Sequence, residues 1–83
     1  MAKYYPLQIY LNQRMQYEVV LTFNEVERIL MRPLPSSAAK YPEWWANETN
    51  PKTSHVQCKA WLDAGYKAFP DIFSEKVVFV RAH

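Results

Sequence analysis

The sequence is poor in the residues that most often indicate a chemical activity. It contains one glycine and one cysteine, and its formal charge at pH 7 is only +2. A single glycine excludes the glycine-rich loops that bind nucleotide phosphates. A single cysteine excludes an internal disulfide, and the chain has no run of about 18 apolar residues that could span a membrane. The first residues also lack the long apolar segment of a secretory signal, so we expect a cytoplasmic protein without membrane contact.

What the sequence does have is a high aromatic content for its size. Aromatic side chains make up 16% of the 83 residues, and apolar side chains make up 49%. Because each Trp, Tyr or Phe can bury roughly 150–250 Å², a chain this short can still form a core. A chain of this length buries only about 60% of its unfolded surface, which is too little for a second core. We therefore expect a single domain over residues 1–83.

The first part of the chain has the pattern of a helix, a strand and a second helix. A helix is predicted from Tyr5 to about Gln13, because proline stands in its first turn and apolar residues follow at helical spacing. The β-branched run Tyr17–Leu21 predicts a strand. Thr22 and Glu25 have the spacing of a capping box at the start of the second helix. That helix must end by Arg32, because two prolines follow closely.

The middle of the chain predicts two short helical segments and a loop. Ser36 or Ser37 can cap a short helix that ends at Lys40. Proline then fits the first turn of a further segment, Pro42–Ala46. The polar stretch Asn47–Thr53 is typical of a surface loop.

The last part predicts one more helix and a hairpin. Ser54–Gln57 forms a second capping box, and the helix that it begins ends at Gly65, where a helix often needs positive φ. Two strands are predicted at Tyr66–Phe69 and Glu75–Arg81, joined through a bend at Asp71.

This order of elements is the order of a winged-helix domain, in which the first strand joins the terminal hairpin. We expect an α+β fold that is winged-helix-like, with three to four helices packed on a small three-stranded antiparallel sheet. The third helix with its loop would then be the presented element, and the bend at Asp71 would be the wing. An unclassified α+β layer, with helices on one face of the same sheet, remains the alternative.

Several segments together resemble a family of short, uncharacterised bacterial and mobile-element proteins, classed as a domain of unknown function. The segments are YPL, LTFNEVERIL, RPLPSSA, WWAN, SHVQCKAWLDAGYK and VVFVR, which cover nearly the whole chain. The family pattern of an aromatic pair, Asn, a polar loop, His, Gln and Ala-Trp-Leu is matched at Trp44, Trp45, Asn47, His55, Gln57 and Ala60-Trp61-Leu62. The chain departs from the pattern at Cys58. The resemblance supports the boundaries of the fold and the cytoplasmic setting, and it implies no catalytic residue.

The tandem tryptophans are the sharpest indication of a functional surface. Neighbours on a helix point about 100° apart, so Trp44 and Trp45 cannot both fill one narrow core stripe. We expect one to pack inward and the other to lie at the rim, although burial of both under the polar loop stays open. With the surrounding basic residues, the outer indole would form an aromatic and basic binding surface. Its members are Lys40, Tyr41, Trp44, Trp45, Asn47, Lys52, His55 and Lys59.

Metal binding and catalysis are not expected. His55, Cys58 and His83 do not form the four-ligand cluster of a structural zinc site. Cys58 stands in the middle of a predicted helix among apolar residues, which is typical of inert packing. We therefore predict no metal, no cofactor and no enzymatic activity.

Two classes of partner remain open. Lysines beside an aromatic surface favour DNA, although a charge of +2 predicts weak and salt-sensitive binding unless the protein dimerises. An exposed aromatic surface without a positive field favours a host protein as the partner of a mobile-element protein. A homodimer through a strand edge at Val77–Val80 is a further hypothesis, and burial of that strand beneath helices would explain its apolar character equally well.

Overall fold

A computed structural model of the chain describes residues 3–48 and 57–82. The helices and strands alternate much as the sequence predicts, and the expected α+β fold with a three-stranded antiparallel sheet is confirmed. Ser54, the predicted first residue of the second capping box, lies outside the described residues. The elements are α1 (Tyr5–Asn12), β1 (Glu18–Thr22), α2 (Phe23–Leu30), α3 (Ser36–Lys40), a 3-10 helix (Pro42–Trp45), α4 (Cys58–Leu62), β2 (Tyr66–Asp71) and β3 (Lys76–Arg81).

The sheet has the strand order β1-β3-β2, and β3 is antiparallel to both neighbours. The first strand therefore joins the terminal hairpin, as the order of elements predicts. The expectation of a dimer edge at Val77–Val80 was wrong, because these residues lie in the central strand. Val77 and Phe79 are fully buried in the core. On the other face of β3, Val78 and Val80 are half-buried.

The junction between β1 and α2 contains the predicted capping box. The Glu25 amide donates to Thr22 Oγ1 at 3.1 Å, and the Thr22 amide donates to Glu25 Oε1 at 2.9 Å. These two bonds with Thr22 hold the pKa of Glu25 below its ordinary value. Because α2 begins at the residue after β1 ends, the capping box fixes the turn from sheet to helix.

The start of α3 differs from the prediction. Ser36 and Ser37 were the expected caps, but Pro35 occupies the cap position in extended backbone and no side chain caps the first turn. The proline ring fixes φ near −65°, which suits this position without a side-chain hydrogen bond. The segment that follows is a 3-10 helix, which ends at Trp45 with Ala46 as its C-cap.

Buried side chains from all of these elements meet in one core. Trp45 and Trp61 lie at its centre and are completely buried. Phe23 stacks on Trp45 with ring centroids 5.2 Å apart, and Phe79 lies 5.7 Å from Trp61. Aromatic pairs of this kind stabilise a fold by about 0.5–1.5 kcal/mol each beyond the area they bury. The tryptophans therefore replace the larger aliphatic core that a short chain lacks.

The turn between β2 and β3 is ordered by its own side chains. The Ser74 amide donates to Asp71 Oδ1 at 3.1 Å, and this bond holds the pKa of Asp71 below its ordinary value. Glu75 takes a positive φ of 54° to close the turn. Phe73, at the tip, is 99% exposed. The predicted bend at Asp71 is thus the start of a tight turn that carries an exposed aromatic ring.

Candidate aromatic and basic surface

The structure describes six of the eight residues that the sequence predicts as a binding surface. Lys52 and His55 lie outside the described residues. The six are Lys40, Tyr41, Trp44, Trp45, Asn47 and Lys59, and the structure separates them into buried, half-buried and exposed groups.

Trp45 belongs to the core, so its assignment to the binding surface was wrong. Its side chain is completely buried, and its Nε1–H donates to the Ala38 carbonyl at 2.9 Å. Its ring stacks on Phe23 and on Trp61, the latter at 5.7 Å with an interplanar angle of 27°. Because a short 3-10 helix directs the two neighbouring indoles differently, Trp45 points inward and leaves Trp44 at the rim.

Trp44 is half-buried, and its ring contacts the rings of Tyr4, Trp45 and Trp61. Its ring meets Trp45 edge-on at 4.7 Å and Tyr4 edge-on at 5.8 Å. Its carbonyl accepts a hydrogen bond from Gln57 Nε2 at 2.8 Å, which ties the 3-10 helix to the start of α4. The expectation that one indole packs inward and the other lies at the rim is confirmed.

Asn47 has a structural role that the sequence did not reveal. Its Oδ1 accepts from the Ala68 amide at 2.8 Å and from Trp61 Nε1 at 2.9 Å. Its Nδ2 donates to the Ala68 carbonyl at 3.0 Å. The side-chain amide therefore pairs with the edge of β2 as a neighbouring strand would, and it satisfies a buried indole. We correct its predicted contact with a ligand, because these three bonds commit its amide to the fold.

The exposed members of the predicted surface are Lys40, Tyr41 and Lys59. Tyr41 is 56% exposed and precedes the 3-10 helix, directly after Lys40. Lys59 lies on α4, where it lines a groove between α4 and the start of α1. Their exposure leaves these three residues accessible, and their role in a binding surface stays a prediction.

The groove between α1 and α4 has a volume of about 260 Å³. It is lined by Lys3, Tyr4, Tyr5, Gln8, Lys59, Ala60 and Asp63. Tyr5 is 40% exposed, whereas Tyr4 is buried and contacts Trp44. Burial raises the pKa of Tyr4, and the Arg32 guanidinium opposes this effect.

Of the seven residues that line this groove, the sequence predicted only Lys59 as a surface residue, and the six that it missed include Lys3, Tyr5 and Gln8. The Lys-Tyr-Tyr run before Pro6 carries Lys3 and Tyr5, but nothing local indicates that the start of α1 packs beside α4. Tyr5 and Gln8 are three residues apart and so share a helix face, which is the one pattern that could have suggested a common surface.

The described residues show no metal-binding cluster, and the one cysteine is buried. In residues 3–48 and 57–82, no three His, Cys, Asp or Glu side chains lie close enough to hold a metal ion. The Cys58 thiol is buried and donates to the Glu48 carbonyl at 3.3 Å. Among the helices that the structure describes, none has the length and apolar character needed to cross a bilayer.

The fold and the surface thus define a small α+β domain with an aromatic core and an adjoining basic groove. The chain belongs to the family described as Domain of unknown function (DUF7662), whose model matches residues 4–83. The resemblance to an uncharacterised family, drawn above from the sequence segments, is thereby confirmed. Neither a curated protein nor a solved structure matches the chain.

Proposed function

We propose that this protein is a non-enzymatic binding module that contacts DNA through the groove between α1 and α4. The observation that carries the proposal is the lining of this groove, where Lys3 and Lys59 lie around the half-exposed ring of Tyr5. A lysine ammonium contacts phosphate as a point charge, and an aromatic face offers a platform on which a base can stack. The groove volume of about 260 Å³ suits one base or sugar rather than a whole duplex.

The arrangement of the elements supports the same proposal. β1 pairs with β3, and α4 leads into the hairpin. This order resembles that of a winged helix, with the additional helical segments α3 and the 3-10 helix between α2 and α4. In such an arrangement the helix before the hairpin is presented to DNA. We therefore propose a winged-helix-like arrangement in which α4 carries Lys59 toward phosphate and the turn after Asp71 is the wing.

Lys40 and Tyr41 remain part of the proposal as a second exposed pair of a cation and a ring. Trp44 supports the groove from beneath through its contact with Tyr4. Lys52 and His55 stay predictions for the same surface. We also keep the predicted cytoplasmic setting, because DNA would be accessible to the protein there.

The test is the binding of labelled single-stranded and duplex DNA, measured by fluorescence anisotropy at about 25 and 150 mM salt. We expect weak binding that falls as salt rises, because each released phosphate counterion contributes to the salt slope. Lys59→Gln and Lys3→Gln should each weaken binding several-fold and reduce the slope by about one. Lys67→Gln is the matched control, because Lys67 is an exposed lysine on β2. No salt-sensitive binding, or an equal loss with Lys67→Gln, would contradict the proposal.

A second candidate function is a protein-interaction module, for example that of a mobile-element protein acting on a host protein. The observation that favours it is Phe73, which is 99% exposed at the tip of the hairpin. An exposed large ring at a tight turn is the kind of anchor that protein interfaces bury. Capture of a host protein that Phe73→Ser abolishes and Lys59→Gln leaves intact would favour this function over DNA binding.

A further inference from the structure

The two edges of the sheet are chemically different, and the β2 edge is closed. In the ladder between β2 and β3, the Ala82 amide donates to the Gly65 carbonyl at 2.8 Å. Because hydrogen-bonded pairs alternate along antiparallel strands, the backbone groups of Ala68 and Pro70 point away from β3. Both groups of Ala68 are bonded to Asn47, and Pro70 has no N–H. The outward groups that remain, those of Tyr66 and the Pro70 carbonyl, are separated by Ala68, so a further strand would find no continuous row of partners on this edge.

The β1 edge lacks this protection. The Arg81 amide donates to the Tyr17 carbonyl at 2.8 Å, and the Phe23 amide donates to the Glu75 carbonyl at 2.9 Å. In the same register, these bonds place the backbone groups of Glu18, Val20 and Thr22 on the outer edge. The Thr22 amide is already bonded to Glu25 Oε1. Among the described residues, no strand lies beside the backbone groups of Glu18 and Val20.

Space beside this edge is open on both sides of the sheet. On the outer face, the Val20 side chain is 51% exposed although it is apolar and β-branched. On the helix side, a groove of about 210 Å³ separates β1 from the helices and is lined by Tyr10, Leu21, Glu25, Arg28 and Ile29. On this edge the Glu25 carboxylate occupies the position beside the Thr22 amide, whereas among the described residues no element covers the backbone of Glu18 and Val20.

We propose that the β1 edge pairs with the β1 edge of a second copy of this chain, antiparallel and about a two-fold axis at Val20. The two sheets would then form one continuous sheet of six strands. In this register Val20 lies opposite the partner's Val20, and each amide donates to the other carbonyl. Glu18 lies opposite the partner's Thr22, whose amide is bonded to Glu25 and whose carbonyl, at the N-cap of α2, accepts the first bond of that helix. The exchange of backbone hydrogen bonds is therefore confined to the pair at Val20.

A second copy suits this edge better than an unrelated strand because the edge is complementary to itself. Apolar, β-branched residues meet at the axis, and such cross-strand pairs stabilise a sheet. The two Glu18 carboxylates end up four residues apart along the strands, about 14 Å, which exceeds the screening length of about 8 Å at physiological salt. An interface that uses the same patch on both copies also closes at two subunits and leaves no edge for growth.

The pairing is independent of the proposed DNA contact, because it involves neither α4 nor the groove beside α1. Two strands of five residues give an interface smaller than those of stable complexes. We therefore expect a weak, concentration-dependent dimer, with a dissociation constant on the order of 10–1000 μM.

Sedimentation equilibrium of the purified chain between about 5 μM and 1 mM tests the proposal without DNA. The expected result is a mass that rises with concentration from 9.9 kDa toward twice that value. Val20→Lys should hold the mass at the monomer value, because it places two ammonium groups opposite each other at the axis. Phe69→Lys is the matched control: Phe69 is 52% exposed against 51% for Val20, and it lies in the same row of the outer face but on the closed edge.

Two outcomes would overturn the proposal in this experiment. One is a monomer mass for the unmodified chain at all concentrations. The other is a dimer that survives Val20→Lys or that Phe69→Lys abolishes equally, which would indicate packing of sheet faces instead of edges.

Hydrogen exchange, measured on the unmodified chain, gives a second test that does not depend on the folding of a variant. The Val20 amide should exchange several-fold more slowly at 1 mM than at 5 μM, whereas the Ala68 amide should be protected equally at both concentrations. Concentration-independent exchange at Val20 would also overturn the proposal.

Discussion

At the scale of single residues, Asn47 shows how one side chain can replace a piece of secondary structure. Its amide has the same donor and acceptor as a peptide group, so it can pair with Ala68 as a strand would. The same oxygen accepts the Trp61 indole, which is buried in the core. The loop after the 3-10 helix is thus fixed both to the edge of the sheet and to the aromatic centre.

We predict that Asn47→Ala destabilises the fold by about 2–4 kcal/mol. The substitution removes three hydrogen bonds and leaves a buried indole N–H without its acceptor, and an unsatisfied buried group costs about 1–3 kcal/mol. Urea denaturation followed by tryptophan fluorescence measures the change. Asn24→Ala is the control, because Asn24 is exposed on α2, where alanine is the better helix former. A loss below about 1 kcal/mol for Asn47→Ala would show that water replaces these bonds.

The role of Asn47 marks a limit of reading the sequence residue by residue. Its partners Ala68 and Trp61 lie 21 and 14 residues away, so no local pattern indicates the contacts. The sequence offered only the interpretations of a loop residue and a ligand contact. By contrast, Thr22 and Glu25 are three residues apart, and their hydrogen bonds follow from that spacing alone.

At the scale of elements, α2 and α4 are each followed by a residue with positive φ, but the residue type differs. The chain leaves α4 through Gly65, with a φ of 86°, and leaves α2 through Met31, with a φ of 59°. At Met31 the Arg32 amide donates to the Glu27 carbonyl and the Met31 amide to the Arg28 carbonyl, which is the Schellman pattern. Glycine predicted the first of these ends. Methionine gave no indication of the second, which the sequence placed only through the prolines that follow.

We predict that Met31→Gly stabilises the fold by about 0.5–1 kcal/mol. The left-handed region costs a residue with a Cβ roughly 1–2 kcal/mol, and the greater freedom of glycine in the unfolded chain offsets part of the gain. Met31 is 89% exposed, so its side chain contributes little packing. Thermal unfolding measures the change.

Gly65→Ala is the reverse change, because it adds a Cβ at a residue with positive φ. A Cβ at Gly65 would meet no atom within 4 Å, so the effect isolates backbone strain from steric clash. We expect a loss of about 1 kcal/mol. If Met31→Gly also destabilised the fold, the side chain of Met31 would have to make contacts in solution that its exposure does not show.

At the scale of the whole molecule, the order of the elements could be predicted from the sequence. Which of the neighbouring tryptophans is buried in the core could not. The fold order follows from caps, prolines and β-branched runs, which are local. Which indole faces inward depends on the geometry of the helix that carries it, and the sequence does not distinguish a 3-10 helix from an α-helix at Pro42–Trp45. The groove beside α4 depends on how the ends of α1 and α4 pack, which is set by the core they share.

The core itself gives the last prediction. Trp45 contacts Phe23, Trp44 and Trp61, which come from α2, the same 3-10 helix and α4. Removing a buried Trp side chain costs about 3–5 kcal/mol, and the Ala38 carbonyl would lose its donor as well. A domain of this size has a total stability of about 4–12 kcal/mol. We therefore expect Trp45→Ala to leave much of the chain unfolded at 25 °C.

Trp44→Ala is the matched control for Trp45→Ala. The two residues are neighbours with the same side chain, but Trp45 is completely buried and bonded to the Ala38 carbonyl, whereas Trp44 is half-buried. Because Trp44 keeps part of its surface in water, its removal should cost less than half as much and leave a folded domain with a cooperative unfolding transition. Far-ultraviolet circular dichroism and urea denaturation of both variants provide the measurement. Equal losses for the two variants would contradict this prediction, because the indole at the rim would then contribute as much to the core as the one at its centre.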